Sequence, residues 1–182
     1  MKTINKDITT IEKGVIIHQT NCQNVIGSGI ARAIYEKWPV VKTKYHEFCD
    51  INTKMDSVFD KNPLGDLSLL GEIQEIAVQY DPPITVINVF GQLNYGGGAK
   101  SGTRYTDYGA LKTAFAEIKR RIMNSRYHQD LFDKYRVYET AELLPLYIPK
   151  FLGAGLGGGD HKIIHRLIEY YLPDAILVDY PG

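Results

Sequence analysis

The run LLPLYIPKFLGAGLGGGDHKIIHRLIEYY, residues 143–171, decides the fold. It opens with an apolar segment over 143–150, interrupted by Pro145, that reads as a strand. Five glycines in seven residues follow, Gly153, Gly155, Gly157, Gly158 and Gly159, with Ala154 and Leu156 between them. Ile163, Ile164, Leu167, Ile168 and Tyr171 then recur at helical spacing until Pro173. Glycine costs roughly 0.5–1 kcal/mol against alanine in a regular element. Five of them between a strand and an amphipathic helix therefore need a reason. One is a backbone that must approach a ligand closely, since free amides beside a helix N-terminus make an anion site. The other is a flexible linker, which the abrupt change from strand to helix disfavours.

Working outward, the same form appears once more. Residues 14–19 (GVIIHQ) read as a buried strand, 21–29 as a polar and glycine-bearing loop, and Ile30, Ala33 and Ile34 as the start of a helix that stops before Pro39. A second short helix is expected over 41–50. Strands over 73–78 and 84–90 flank Tyr80-Asp81-Pro82-Pro83, a turn by its chemistry. Residues 91–103 hold Gly91, Gly96, Gly97, Gly98 and Gly102 and read as a long mobile loop. Leu111, Phe115, Ile118 and Ile122 form a helical stripe, with Thr106 or Asp107 as its N-cap. A last strand covers 175–180. The stretches 51–70 and 124–142 read as irregular or uncertain, and are candidate insertions in a single domain over 1–182. Strands alternating with helices predict an α/β fold with a largely parallel sheet. Ligands of such sheets bind beyond the carboxyl ends of the strands.

Composition narrows the function classes. Of 182 residues, 44% are hydrophobic, and Lys plus Arg equals Asp plus Glu at 21 each. A neutral chain is poorly suited to bulk attraction to DNA, RNA or acidic membranes, although a local anion site remains open. Apolar runs such as 86–90 fall far short of the roughly 18 residues of a membrane helix. The first residues lack a signal-peptide stretch, so a cytoplasmic location is expected. The two cysteines, Cys22 and Cys49, are too few for a disulfide scaffold and are expected to be free.

The polar candidates each have a plain and a chemical reading. Asp160 could cap the following helix, or act as a base or water orienter beside the anion site. His18, placed at the end of an apolar strand, could be a satisfied structural residue, or an acid, base or phosphate partner. Gly27-Ser28-Gly29 precedes a helix, but Arg32 stands where a dinucleotide fingerprint needs its third glycine. A nicotinamide-dependent enzyme is thereby disfavoured. The two glycine loops together could hold both phosphates of a pyrophosphate. Lys100-Ser101 lacks the rest of a P-loop. His161 and His165 have metal spacing but no third ligand, and Cys22 has no evident base, so neither a metal nor a cofactor is expected.

These features resemble the macro domain, an ADP-ribose-binding fold, over nearly the whole chain. Three segments carry the resemblance. The first is Lys6-Asp7-Ile8-Thr9 with His18-Gln-Thr-Asn21-Cys-Gln-Asn-Val-Ile-Gly27-Ser-Gly29-Ile-Ala31. The second is Ile87-Asn-Val-Phe90-Gly-Gln92 with Tyr105-Thr-Asp-Tyr108. The third is Ile148-Pro-Lys with the glycine run ending at Asp160. The resemblance implies a mixed sheet between two helical layers, with ADP-ribose in a cleft at the strand ends. It places Asp7 on the adenine amino group, Ile8 in the base pocket, Asn21 on the distal ribose and Tyr180 against adenine. It places Gly27, Ser28 and Gly29 on one side of the phosphates, and the amides of Gly153, Ala154, Gly155, Leu156, Gly157, Gly158 and Gly159 on the other. Ile30 and Phe90 join the ligand-binding set.

Within the family, His18 and the first loop look most like the ADP-ribose 1″-phosphate phosphatases. The terminal ADP-ribose protein glycohydrolases are closely similar, but Gly91 or Gln92 stands at the position of their lysine. The expected activity is dephosphorylation of ADP-ribose 1″-phosphate, with His18 and Asp160 sharing proton transfer and water positioning. Two alternatives stay open. One is removal of ADP-ribose from protein or nucleic acid, and the other is an ADP-ribose-binding module without chemistry.

Overall fold

The computed structural model describes residues 1–25, 28–56, 67–96, 100, 102–135 and 144–181. Strand β1 (Lys2–Asn5) leads to a 3-10 turn at Ile8–Thr10 and then β2 (Gly14–Asn21). Helices α1 (Ile30–Lys37) and α2 (Pro39–Asp56) follow, then β3 (Ile73–Tyr80) and β4 (Pro83–Gln92). Helix α3 (Tyr108–Tyr135), β5 (Leu146–Pro149), α4 (His161–Tyr171) and β6 (Ile176–Asp179) complete the order.

The strands form one sheet in the order β1-β6-β5-β2-β4-β3. Every pairing is parallel except the hairpin of β3 with β4. The carboxyl ends of β1, β6, β5, β2 and β4 therefore share one edge. Alternation along the strands divides the core between two faces. Ile16, Val86 and Phe90 pack with Ile34 and Tyr35 of α1 and Val41 and Tyr45 of α2. Ile17, Ile87 and Val89 pack with Leu111, Phe115 and Ile118 of α3 and Ile164 and Ile168 of α4. The result is a three-layer α/β/α arrangement with a mixed, largely parallel sheet, as the alternating pattern predicts. Among the described residues, no helix is long and apolar enough to cross a membrane.

Several boundaries differ from the sequence reading. Strand β1 escapes it, because four residues with little burial carry no alternation to detect. The helix expected over 41–50 runs over 18 residues, starting at Pro39, where a missing N–H does no harm in the first turn. It takes up the beginning of the irregular stretch 51–70; residues 57–66 of that stretch lie outside the described residues, as do 136–142 of 124–142. Helix α3 continues to Tyr135 despite its polar sequence. Strand β5 shortens to four residues beyond Pro145, which has no N–H to give to the ladder. Asp107, rather than Thr106, caps α3, accepting from the Ala110 amide at 2.8 Å.

Candidate functional site

The sheet's carboxyl edge opens into a cleft of about 430 Å³. Strand β2 supplies its floor with His18, Gln19, Thr20 and Asn21; residues 28–31 form one wall, and Gly153, Gly155, Leu156 and Gly157 the opposite one. Gln92, Tyr95 and Phe151 line the ends. The two glycine turns meet across this space: a Cβ built on Gly29 would lie 3.9 Å from Leu156 Cδ1.

Each turn has a local cause. Gly29 stands before α1 with φ of 62° and ψ of −135°, a region that a side chain makes costly. Helix α1 has no side-chain cap and no acidic residue in its first turn. Its leading amides are therefore left without a side-chain acceptor at a helix start that lines the cleft, where the positive end of the helix dipole lies. Helix α4 differs, because the Asp160 carboxylate caps its own start by accepting from the Lys162 amide at 2.8 Å. In the second turn Gly153 has φ of +67°, and its carbonyl accepts from Thr106 Oγ1 at 2.7 Å and from the Gly159 amide at 2.9 Å. The Gly157 carbonyl accepts from the amides of Tyr105 at 2.8 Å and Thr106 at 2.9 Å. The amides of Gly155, Leu156 and Gly157 make no hydrogen bond among the described residues.

The floor is polar and mostly buried. His18 is 1% exposed, and its ring stands edge-on to Tyr35, centroids 5.8 Å apart. Neither ring nitrogen has a hydrogen-bond partner of normal geometry, nor does Asn88 Oδ1, whose residue pairs with His18 in register on β4. Burial pushes the imidazole down to about 4, with smaller opposing pulls from the Asn88 side chain and the Gln19 backbone. His18 is thus neutral at pH 7, with one nitrogen carrying a lone pair. It is not at a strand end: β2 continues to Asn21. Burial also pushes the Tyr35 and Tyr45 hydroxyls up. Asn21 is 3% exposed and its side chain is engaged in shaping the first turn. Its amide nitrogen donates to the Val25 carbonyl at 3.0 Å, while its oxygen accepts from the Gln23 amide at 2.9 Å and the Tyr45 hydroxyl at 3.0 Å.

The structure does not bring all the sequence candidates together. Ser28, Gly29, Ile30, Gly153, Gly155, Leu156 and Gly157 line the cleft with His18 and Asn21. Ala154, Gly159 and Asp160 instead line a second hollow, about 480 Å³, that adjoins the cleft at Phe151 and Gly155. Asp160 is exposed there and is not among the residues that line the cleft with His18. Gly158 lines neither hollow. Phe90 is fully buried in the core, stacked on Tyr45 with centroids 6.0 Å apart, rather than at the cleft. Ile8 is 4% exposed in the same core, and Asp7 accepts from the Thr9 amide at 2.9 Å, capping the 3-10 turn. Both lie near the carboxyl end of β1, beside β6, outside the cleft lining. Tyr180 follows β6 and is 64% exposed, next to the Lys150–Asp179 ion pair of 2.6 Å. Gly27 lies outside the described residues.

Four residues that the sequence reading did not name as site residues matter most. Gln19 lines the floor and donates to Gln92 Oε1 and, at 3.0 Å, to Thr106 Oγ1. Tyr95 and Phe151 supply exposed aromatic faces at the cleft ends. Thr106, 1% exposed, ties the second glycine turn to the lead-in of α3. The signal for Gln19 and Thr106 was polarity beside apolar runs, which cannot say which polar side chains meet.

Scans of the sequence against family models and curated proteins return no match. Solved structures do match. A protein of unknown function from Bacteroides thetaiotaomicron superposes with a TM-score of 0.68 at 22% identity, over 98% of this chain and 96% of that one. The macrodomain of Mycobacterium tuberculosis DarG gives 0.64 at 17% identity, over 100% and 97%. Thermosipho africanus DarTG, solved in complex with ADP-ribose, gives 0.59 at 14% identity, over 98% of this chain and 41% of that one. The fold is that of the macrodomains.

Proposed function

We propose that this chain binds ADP-ribose in the 430 Å³ cleft and hydrolyses the phosphate ester of its 1″-phosphate. One observation carries the binding reading: Gly29 at the uncapped start of α1 and the turn holding Gly155, Leu156 and Gly157, whose amides make no hydrogen bond among the described residues, line a single cleft. Such an arrangement suits a diphosphate, whose charge meets N–H groups and a helix N-terminus rather than competing carboxylates. That Thermosipho africanus DarTG, 41% of whose chain matches this fold, was solved in complex with ADP-ribose supports the same reading. Adenine then lies toward the β1–β6 side, near Asp7, Ile8 and Tyr180, and the distal ribose toward Asn21.

For the chemistry, water attacks phosphorus, the bond from phosphorus to the ribose oxygen breaks, and inorganic phosphate leaves. Neutral His18 on the cleft floor accepts a proton from the water and returns it to the departing ribose oxygen, which leaves as a hydroxyl and restores the neutral imidazole. The amide-lined turns stabilise the charge that builds on the phosphoryl oxygens. Calorimetric titration with ADP-ribose tests binding, and phosphate release from ADP-ribose 1″-phosphate tests chemistry. His18→Ala is expected to bind but not turn over. Asp160→Asn, which preserves the helix cap, is expected to retain turnover. Absence of any titration signal would overturn the reading altogether.

A binding module without chemistry is the second reading. It draws on the depressed basicity of His18 and on the placement of Asp160 outside the cleft. Binding with no product after long incubation selects it. Release of ADP-ribose from protein or nucleic acid fits the same cleft, but not through a lysine adduct at position 91. A Cβ on Gly91 would lie 2.7 Å from Leu111 Cδ2 and 2.8 Å from Gln19 Oε1. Modified protein and modified DNA assayed side by side distinguish these substrates.

A further inference from the structure

Across the face of the sheet toward α2, three polar residues sit in line on neighbouring strands. His18 of β2 pairs in register with Asn88 of β4, and Asn88 pairs with Gln74 of β3. They lie among Ile16, Val86, Ile76 and Phe90, an apolar layer in which a polar row needs a purpose. The row ends on a backbone carbonyl: Gln74 Nε2 donates to the oxygen of Lys44 in α2 at 2.7 Å. A carbonyl only accepts, so it fixes which end of the Gln74 amide faces it. Gln74 Oε1 must then face Asn88, whose Nδ2 donates to it at 2.9 Å. That in turn leaves Asn88 Oδ1, another pure acceptor, on the side of His18, buried and with no other partner.

We infer that Asn88 and Gln74 are positioning residues that fix the tautomer of His18, the row Lys44 carbonyl–Gln74–Asn88 requiring an N–H on the imidazole nitrogen nearer Asn88 and so leaving the lone pair on the other. Direction passes along the row from one backbone group, each amide repeating the polarity of the last. This rests on the proposed role of His18 as proton acceptor, since the row would decide which of the two buried ring nitrogens carries the lone pair.

The test is the nitrogen NMR spectrum of the unliganded protein labelled at histidine, with the His18 signals assigned through His18→Gln. In the wild type, His18 should show one protonated and one bare nitrogen, a single tautomer. Gln74→Leu frees the Asn88 amide to turn over, and Asn88→Leu removes the acceptor; in both, the two nitrogen shifts should move toward each other as tautomers mix. An even mixture should lower turnover of ADP-ribose 1″-phosphate about twofold with ADP-ribose affinity unchanged, since half the molecules present the wrong nitrogen. Gln74 is half-buried on an edge strand, so its variant keeps the test available should Asn88→Leu not fold. Mixed tautomers in the wild type, or a single tautomer that survives both substitutions, would overturn the inference. Loss of ADP-ribose binding in a protein whose tautomer still responds would overturn the proposed function and leave this inference standing.

Discussion

Two glycines only two positions apart should behave very differently when given a methyl group. Gly153→Ala places a side chain at φ of +67°, with the new Cβ 2.6 Å from Gln19 Oε1 and 3.0 Å from Thr106 Oγ1. The left-handed backbone costs an L-residue roughly 1–2 kcal/mol. Crowding against two polar groups that hold each other in place adds about 1–3 kcal/mol. The sum, about 2–5 kcal/mol, corresponds to a fall in Tm of about 4–20 °C for a domain of this size. Gly155→Ala meets no heavy atom within 4 Å and has no positive φ to relieve. It should stay within about 0.5 kcal/mol of the wild type. Thermal unfolding of both variants, alone and with ADP-ribose, measures the difference. If Gly153→Ala melts with the wild type, or Gly155→Ala loses as much as Gly153→Ala, the account of the second turn is wrong.

Stability should fall on acidification partly through His18. The folded imidazole titrates near 4 and an unfolded one near 6.5, so between those values only the unfolded chain takes the proton. The loss, fully absent above pH 6.5, should reach about 3 kcal/mol by pH 4; urea unfolding of wild type and His18→Gln at pH 7 and pH 4.5 should show a flatter dependence in the variant. Tyr45→Phe strips a donor from the buried Asn21 oxygens, and should cost about 1–3 kcal/mol in denaturant unfolding while weakening ADP-ribose binding by loosening the first turn. Asp160→Ala should lower stability by about 1 kcal/mol through loss of the α4 cap, whereas Asp160→Asn should melt close to the wild type.

The sequence made the layered architecture and the two glycine turns legible for the same reason: both rest on patterns within single short segments. Ile163, Ile164, Leu167 and Ile168 announce a helix, and the glycine run before them announces a turn. What pairs across distance was not legible. His18 and Asp160 each stand beside a glycine loop, yet the sequence does not say that the Asp160 carboxylate is engaged by the Lys162 amide as the cap of α4. Phe90 belongs to a motif that borders the cleft, but strand alternation turns it into the core with Tyr45 and Phe48. The hydrogen bonds of Gln19 to Gln92 and Thr106 join residues 73 and 87 positions away, and no local signal encodes such partners.

The bonds from the Tyr105 and Thr106 amides to Gly157, and from Thr106 Oγ1 to Gly153, carry a consequence for how the cleft meets a guest. A glycine-rich wall that could have been slack is clamped by the segment leading into α3, which the buried Leu111 and Phe115 seat on the sheet. The gap between the walls is therefore set by how a distant helix sits, and lengthening the chain between β4 and α3 would retune the fit without altering a single residue on either wall.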